Sequence, residues 1–271
     1  MKAVFDVIKQ MFSRYFEDDL GNVGAHLAYF FLFSLFPALI FLSALMSALN
    51  LEEMFDLFTG GLPSGVADLI VWFVDYIKVN HTQTLMVGSL TLMFFATLQV
   101  VNVSTFEINK AYRVKLTRGF FQGSAISIAA ALLYMVSVYV FFVFIITGRE
   151  TLYFLRDVFG LNTGIIEMWN ILRYAILAFY VFCALIALYA ALPFRRIRFR
   201  EAVPGALFVM VAWVFVTAGF SFYVENLSDH AHLYGFIGLI MLLMLWLYFL
   251  GITMVLGGHL NHILMTRRKN E

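Results

Sequence analysis

Three arginines, Arg149, Arg156 and Arg173, stand at the adjacent ends of two long apolar runs in a chain where charge is scarce. Guanidinium forks at such a place suit an anionic headgroup or a glycolipid phosphate. Ion pairs with Glu150, Asp157 and Glu167 are the plainer use of the same side chains. A second set lies on one stretch, with Gln99 and Asn102 a helical turn apart and Glu107 about one turn further. Lipid offers polar groups no partner, so these should face a bundle interior, either bonding between helices or lining a polar substrate vestibule. Glu107 also has Lys110 three residues on, within reach of an intrahelical ion pair. A third set, Arg195, Arg196, Arg198 and Arg200, crowds the segment LPFRRIRFREAVPG at 192–205.

Metal chemistry is the next class to weigh. His230 and His232, with Glu225 and Asp229 nearby, have zinc-ligand types but no third firm ligand, so they read as a solvated connector. His259 and His262, one turn apart, read as interfacial groups rather than a metal pair. Metal-assisted RNA hydrolysis wants carboxylates and histidines gathered around an ion. Here Asp6, Glu17, Asp18, Asp19, Glu107 and Glu201 are scattered along the chain. The sequence therefore points to no catalytic residues, no metal, no cofactor and no nucleic-acid partner.

The elements that must position these residues follow from composition. Of 271 residues, 62 % are hydrophobic and 13 % charged, and the net charge is +1. Such a chain cannot cover a water-facing surface, and no global charge draws it to a polyanion. Crossing the hydrocarbon core takes about 20 apolar residues, and six runs qualify: 25–49, 85–103, 120–146, 171–192, 203–224 and 234–256. Backbone groups in lipid must be satisfied within their own element, so the runs should be helices.

Counting Lys and Arg in the segments from N- to C-terminus gives 3, 1, 4, 2, 4, 0 and 3, with Arg173 inside the fourth run. That alternation places both termini in the cytoplasm. The fold class is thus an all-α polytopic membrane protein, six transmembrane helices with peripheral amphipathic ones, in a single domain over 1–271.

Residues 1–20 have an apolar face (Val4, Phe5, Ile8, Met11, Phe12, Tyr15, Phe16) and read as an in-plane cytoplasmic helix ended by Gly21. The outer loop 50–84 reads as short amphipathic helices, interfacial or re-entrant, and 152–159 as another cap. Residues 265–271 form a cytoplasmic tail. If extended, the arginine segment sets Arg196, Arg198 and Arg200 on one face and Ile197 and Phe199 on the other, resting on anionic headgroups and fixing topology. Pro204 then fits the first turn of the next helix. Pro37, mid-run, predicts a kink that could serve as a hinge. Ala184, Ala187 and Ala190 repeat every three residues and should permit close packing, as should Gly235 and Gly238. Cys183, the single cysteine, lies in an apolar run and forms no internal disulfide.

With the spans placed, three stretches are distinctive: LAYFFLFSLFPAL (27–39), LYAALPFRRIRFREAVPGAL (188–207) and YGFIGLIMLLMLWLYFLGITMVLGGHLN (234–261). Together, and with their spacing, they resemble the YihY/BrkB family of bacterial inner-membrane proteins, members of which once bore the label ribonuclease BN. The resemblance implies a six-helix inner-membrane protein. It supplies no established activity and no catalytic residues. Family members tend to end with an acidic residue in a Gly-Ala-Glu-Leu-Asn-like pattern, where this chain has Gly257-Gly258-His259-Leu260-Asn261.

The expected function is transport or translocation of an amphiphilic, lipid-like envelope component across the bacterial cytoplasmic membrane. The alternative is a non-transporting scaffold in envelope assembly. Membrane lipids and anionic headgroups are the expected partners, along with a second copy of the chain or an envelope protein. Catalysis is not expected.

Overall fold

The computed structural model describes residues 2–48, 71, 83–114, 127–133, 135, 163–195, 197–227 and 231–270. Six helices account for nearly all of these: α1 (Lys2–Glu17), α2 (Leu20–Ala48), α3 (Gln83–Ala111), α4 (Thr163–Ala191), α5 (Phe199–Leu227) and α6 (Ala231–Asn270). A short helical stretch over 127–133 falls within the expected third span. Four regions are long and apolar enough to cross a membrane: Leu20–Ile40, Val87–Ala111, Phe199–Val224 and Ile240–Arg268. In α4 the apolar part is Ala175–Ala191, which is shorter. The outer loop 50–84 (apart from residue 71 and from 83–84, which open α3), the cap at 152–159, and Arg149, Arg156 and Arg196 lie outside the described residues. Of the sparsely charged loop at 225–233, only 228–230 are outside them, because α5 runs to Leu227 and α6 begins at Ala231.

Most helices outrun the apolar stretches that announce them. α3 continues through Glu107 and Lys110, and α6 runs 40 residues, about 60 Å at the usual rise. Polar residues beyond the apolar runs read from the sequence, Glu107 and Lys110 of α3 and His259 of α6, thereby come together near Asp18. α2 packs chiefly on α3 and α6, α5 packs on α6, and α4 on α5. The buried core gathers at one end of the bundle, around Leu20, Leu27, Ile108, Tyr189, Val209 and Val255.

Glycines set the closest crossings, though not those expected. Ala184 and Ala187 are exposed. The contact between α5 and α6 instead uses Gly205 and Gly257: a Cβ at Gly205 would collide with the Gly257 carbonyl and Asn261, and one at Gly257 with Tyr189 and Val209. The α2–α6 crossing uses Gly24, where a Cβ would meet Ile252 at 2.5 Å, and Gly251, which faces Leu27. Further along the α5–α6 interface, the Trp213 indole donates to the Leu250 carbonyl and to Thr253.

Local chemistry explains three differences from expectation. α1 ends at Glu17, not Gly21. Asp19 takes the left-handed backbone (φ 54°), which Asp tolerates better than most residues, and α2 starts at the next residue. The arginine segment is not an extended strip. Arg198 caps α5, its backbone N–H held by the Glu201 carboxylate at 3.0 Å, and Phe199 already opens the helix. Ile197 is consequently buried (8 % exposed) while Phe199 is 70 % exposed, so they do not share a face. Pro204 thus sits beyond the first turn of α5. Pro37 lies within α2, and the helix continues through it to Ala48.

Alanine at Gly257 should lower unfolding stability in detergent by about 1–3 kcal/mol, because the added methyl has no room. Alanine at Gly88, where nothing lies within 4 Å, should cost nothing and gain up to about 1 kcal/mol of helix propensity. Chemical denaturation of the two variants in one detergent checks the contrast.

Candidate functional site

The buried polar groups collect where α1 turns into α2, α3 ends, and α6 passes. Asp18, in that turn, is 3 % exposed. Its carboxylate takes a two-pronged contact from Arg113, Nη1 to Oδ1 at 3.0 Å and Nη2 to Oδ2 at 3.0 Å. Lys110 Nζ donates to the Asp18 carbonyl at 2.9 Å and lies 3.9 Å from Oδ1. His259 Nε2 is 3.7 Å from Oδ2. Glu107 stands on the rim of this group, 4.0 Å from Lys110, as its spacing predicts. Glu17 adds a looser contact to Arg113 at 3.6 Å.

Arg113 reaches Asp18 because of how α3 terminates. The Val114 amide bonds back to the Asn109 carbonyl and the Arg113 amide to that of Lys110, both at 3.0 Å. That is a Schellman ending, whose left-handed position is usually glycine. Here Arg113 occupies it, with φ 54°. Both partners of the Asp18–Arg113 pair therefore sit at helix ends closed by a non-glycine left-handed residue, a conformation that costs about 1–2 kcal/mol per residue.

Two buried asparagines complete the site. Asn109 Nδ2 donates to the carbonyls of Thr105 (2.7 Å) and Leu192 (3.3 Å), and its Oδ1 accepts the Phe194 amide at 2.7 Å. Between Leu192 and Phe194 stands Pro193, which has no N–H to give. Asn261 does the same around Pro204: its Oδ1 accepts the Gly205 amide at 2.7 Å and its Nδ2 donates to the Ala202 carbonyl at 3.2 Å. Each asparagine amide thus stands in for backbone pairing beside a proline, and the two together fix both ends of the arginine segment. Tyr189 donates to the Met254 carbonyl from a fully buried position. Tyr112 lies beside Asn261, its ring edge-on to His262. Burial pushes the Tyr112 phenol well above its usual range, with Asn261 pulling weakly the other way, so the phenol stays neutral.

The residues singled out from the sequence are placed unevenly. Glu107 joins the cluster. Asn102 is exposed and Gln99 half-buried, so neither fills the bundle interior. The interior face of α3 is taken by Ser89, Thr97 and Ser104, short enough to let α2 approach. Arg195, Arg198 and Arg200 are exposed at the cluster's end of the bundle. Arg173 lies on α4. His259 is not interfacial but 1 % exposed, because α6 carries it between the ends of α1 and α3. Asp18, Asn109, Tyr189 and Asn261 were not anticipated as site residues. The Leu-Pro-Phe and Val-Pro-Gly prolines were the one sequence signal that buried amide partners would be needed.

The family model described as Virulence factor BrkB matches residues 11–271. The chain belongs to the BrkB family. Among its relatives is a ribonuclease-like protein, YfkH, of Bacillus subtilis, 29 % identical over 264 residues that cover 97 % of this chain and 96 % of that one. A UPF0761 membrane protein of Pseudoalteromonas translucida is 26 % identical over 270 residues, 93 % of this chain and 83 % of the relative. Another, from Prosthecochloris aestuarii, is 25 % identical over 268 residues, 91 % of this chain but 58 % of that longer protein. None of the solved structures matches the chain. The BrkB match begins at Met11 and so takes in the whole Asp18 cluster and both asparagine clamps.

Replacing Arg113 separates its backbone cost from its charge. Arg113→Gly and Arg113→Ala both remove the guanidinium, but glycine accepts the left-handed backbone freely. Arg113→Gly should be the more stable of the two by about 1 kcal/mol, both being less stable than the parent. Denaturation in detergent reads the order; equal stabilities would mean that the backbone there carries no strain.

Proposed function

We propose that this BrkB-family membrane protein is a six-span protein of the bacterial cytoplasmic membrane, both termini inside, that translocates an amphiphilic, lipid-like envelope component. The observation that carries the reading is the outward face of α3. Within the span Val87–Ala111, Asn102 is exposed and Gln99 half-exposed, flanked on the same face by exposed Phe95 and Phe106. A polar side chain turned toward hydrocarbon is unfavourable unless something polar accompanies it. A molecule with a polar head and apolar tails matches such a stripe. Glu107 lies about one turn further toward the buried cluster.

The end bearing that cluster has the features of a face lying on a bilayer surface. Phe5, Ile8, Phe12 and Phe16 of α1 are exposed together, and Phe199 is exposed among Arg195, Arg198 and Arg200. Apolar side chains interleaved with exposed guanidinium groups suit the interface of an anionic leaflet. In this reading Arg149, Arg156 and Arg173 gather the anionic cargo at the opposite side, and Pro37 is the hinge of α2.

YfkH's printed name raises a nuclease for this chain too. A non-catalytic role fits better, because the Asp18 carboxylate that would have to bind an ion is already paired with Arg113, with the Lys110 ammonium 3.9 Å away. A scaffold role for the exposed face of α1 is the second reading. The chain reconstituted in liposomes containing fluorescent phospholipid and anionic glycolipid should speed their exchange between leaflets. Asn102→Leu and Arg149→Ala should each slow it. Exchange no faster than in protein-free liposomes would sink translocation and leave the scaffold.

A further inference from the structure

One face of α2, continued back to the residue before it, carries Asp19, Asn22, His26, Tyr29 and Phe33 at alternating steps of three and four, and all five are exposed. Side chains so spaced line up along a helix. The stripe is graded. It opens on a carboxylate, passes through an amide and an imidazole, and ends on aromatic rings. Tyr29 stacks on Phe33 with centroids 6.1 Å apart, while His26 and Tyr29 both lean on Phe30, at 5.1 and 5.2 Å. At the usual rise per residue the stripe covers about 21 Å. Half a bilayer, headgroups included, is about 20–22 Å thick. The stripe therefore has the length and the polarity profile of one phospholipid lying against α2.

Two phenols close its polar end. Tyr248 of α6 shares a hydrogen bond with Tyr15 of α1, and both hydroxyls flank Gly21, where a Cβ would lie 3.6 and 3.7 Å from them. The charge acting on that pair is the Asp19 carboxylate. Its neighbours Glu17 and Asp18 are both within ion-pair range of Arg113. Among the described residues no lysine or arginine pairs with Asp19, whose Oδ2 accepts from the Asn22 amide. This face is thus acidic at an end of the bundle where Arg195, Arg198 and Arg200 are exposed elsewhere.

We propose that this stripe is a binding site for one phospholipid whose headgroup carries a primary ammonium, of the phosphatidylethanolamine type. The ammonium donates to Asp19, a charge-assisted hydrogen bond. About 4–5 Å further along α2, the phosphate takes the amide hydrogen that Asn22 does not spend on Asp19. About 10 Å along, the ester carbonyls lie beside His26. An imidazole turned toward hydrocarbon alone is unfavourable, and a carbonyl accepting from its N–H supplies the missing partner. The acyl chains then follow Tyr29, Phe30 and Phe33. A second copy of the chain fits the same stripe poorly. Copies in one membrane point the same way, so a two-fold axis would set Asp19 against Asp19, and like charges face to face are unfavourable. An anionic headgroup meets the same repulsion. The site lies apart from the amide stripe of α3 and stands whatever the cargo.

Native mass spectrometry of the delipidated chain in detergent counts the lipids bound as phosphatidylethanolamine or phosphatidylglycerol of identical acyl chains is titrated in. The parent should take its first phosphatidylethanolamine about tenfold more tightly than phosphatidylglycerol, the scale of one hydrogen bond to a charged group. N-acetylated phosphatidylethanolamine, which has lost the ammonium, should fall to the level of phosphatidylglycerol. Asp19→Asn, which tolerates the same left-handed backbone (φ 54°), should erase the preference. Phe215→Ala, at an exposed position of α5, should keep it. A parent without the preference overturns the proposal, as does N-acetylation without effect. So does a preference that outlives Asp19→Asn or is lost in Phe215→Ala, or a dimer mass in place of the lipid. The N-acetyl comparison uses the unaltered chain and decides the matter even if Asp19→Asn does not fold.

Discussion

A carboxylate removed almost wholly from solvent is stable only with positive charge held against it. Asp18 is that carboxylate, and three elements of the fold converge to serve it. Its position follows from the abrupt turn between α1 and α2, its main cation from the strained ending of α3, and its third contact from the long extension of α6 past the apolar zone. Remove the carboxylate and Arg113 loses the partner that justifies its backbone. Remove the cations and the buried charge is left alone. The helix ends are joined by this mutual dependence as well as by the apolar core around Leu20, Ile108 and Tyr189.

The asparagines extend the same logic to neutral groups. Prolines 193 and 204 bracket the arginine segment and leave backbone groups short of partners. Asn109 and Asn261 fill the gaps from α3 and α6. Gly205 and Gly257 let α5 and α6 come close enough for Asn261 to reach. The arginine segment is therefore held at both ends, with Arg195, Arg198 and Arg200 exposed. The same asparagines tie the end of α4 to α3 and the start of α5 to α6.

The spans in α2, α3, α5 and α6 were legible in composition because their apolar runs are long. The extents were not. Run length marks where lipid solvates a helix, whereas α3 and α6 continue through Glu107, Lys110 and His259 because other helix ends supply their polar side chains with partners. Pairing of Glu107 with Lys110 was readable because it is local. The Asp18 clasp was not, since it joins residues about ninety positions apart through a turn that needed Asp19, rather than Gly21, in the left-handed region. Gln99 and Asn102 show the opposite failure. The rule that intramembrane polar groups face inward put them in the core, yet small hydroxyl residues hold that face of α3 and leave the longer amides outside. Pro204 was placed in the first turn of α5 because its missing N–H costs nothing there; the helix starts earlier because Glu201 reaches back to the Arg198 amide.

The dependence of Asp18 and Arg113 on each other is most directly measured by a double-mutant cycle on unfolding in detergent, using Asp18→Asn, Arg113→Gln and the pair. The account predicts a coupling above about 1 kcal/mol, more than an exposed ion pair gives. Single-variant losses that simply add, to within about 0.5 kcal/mol, would contradict it.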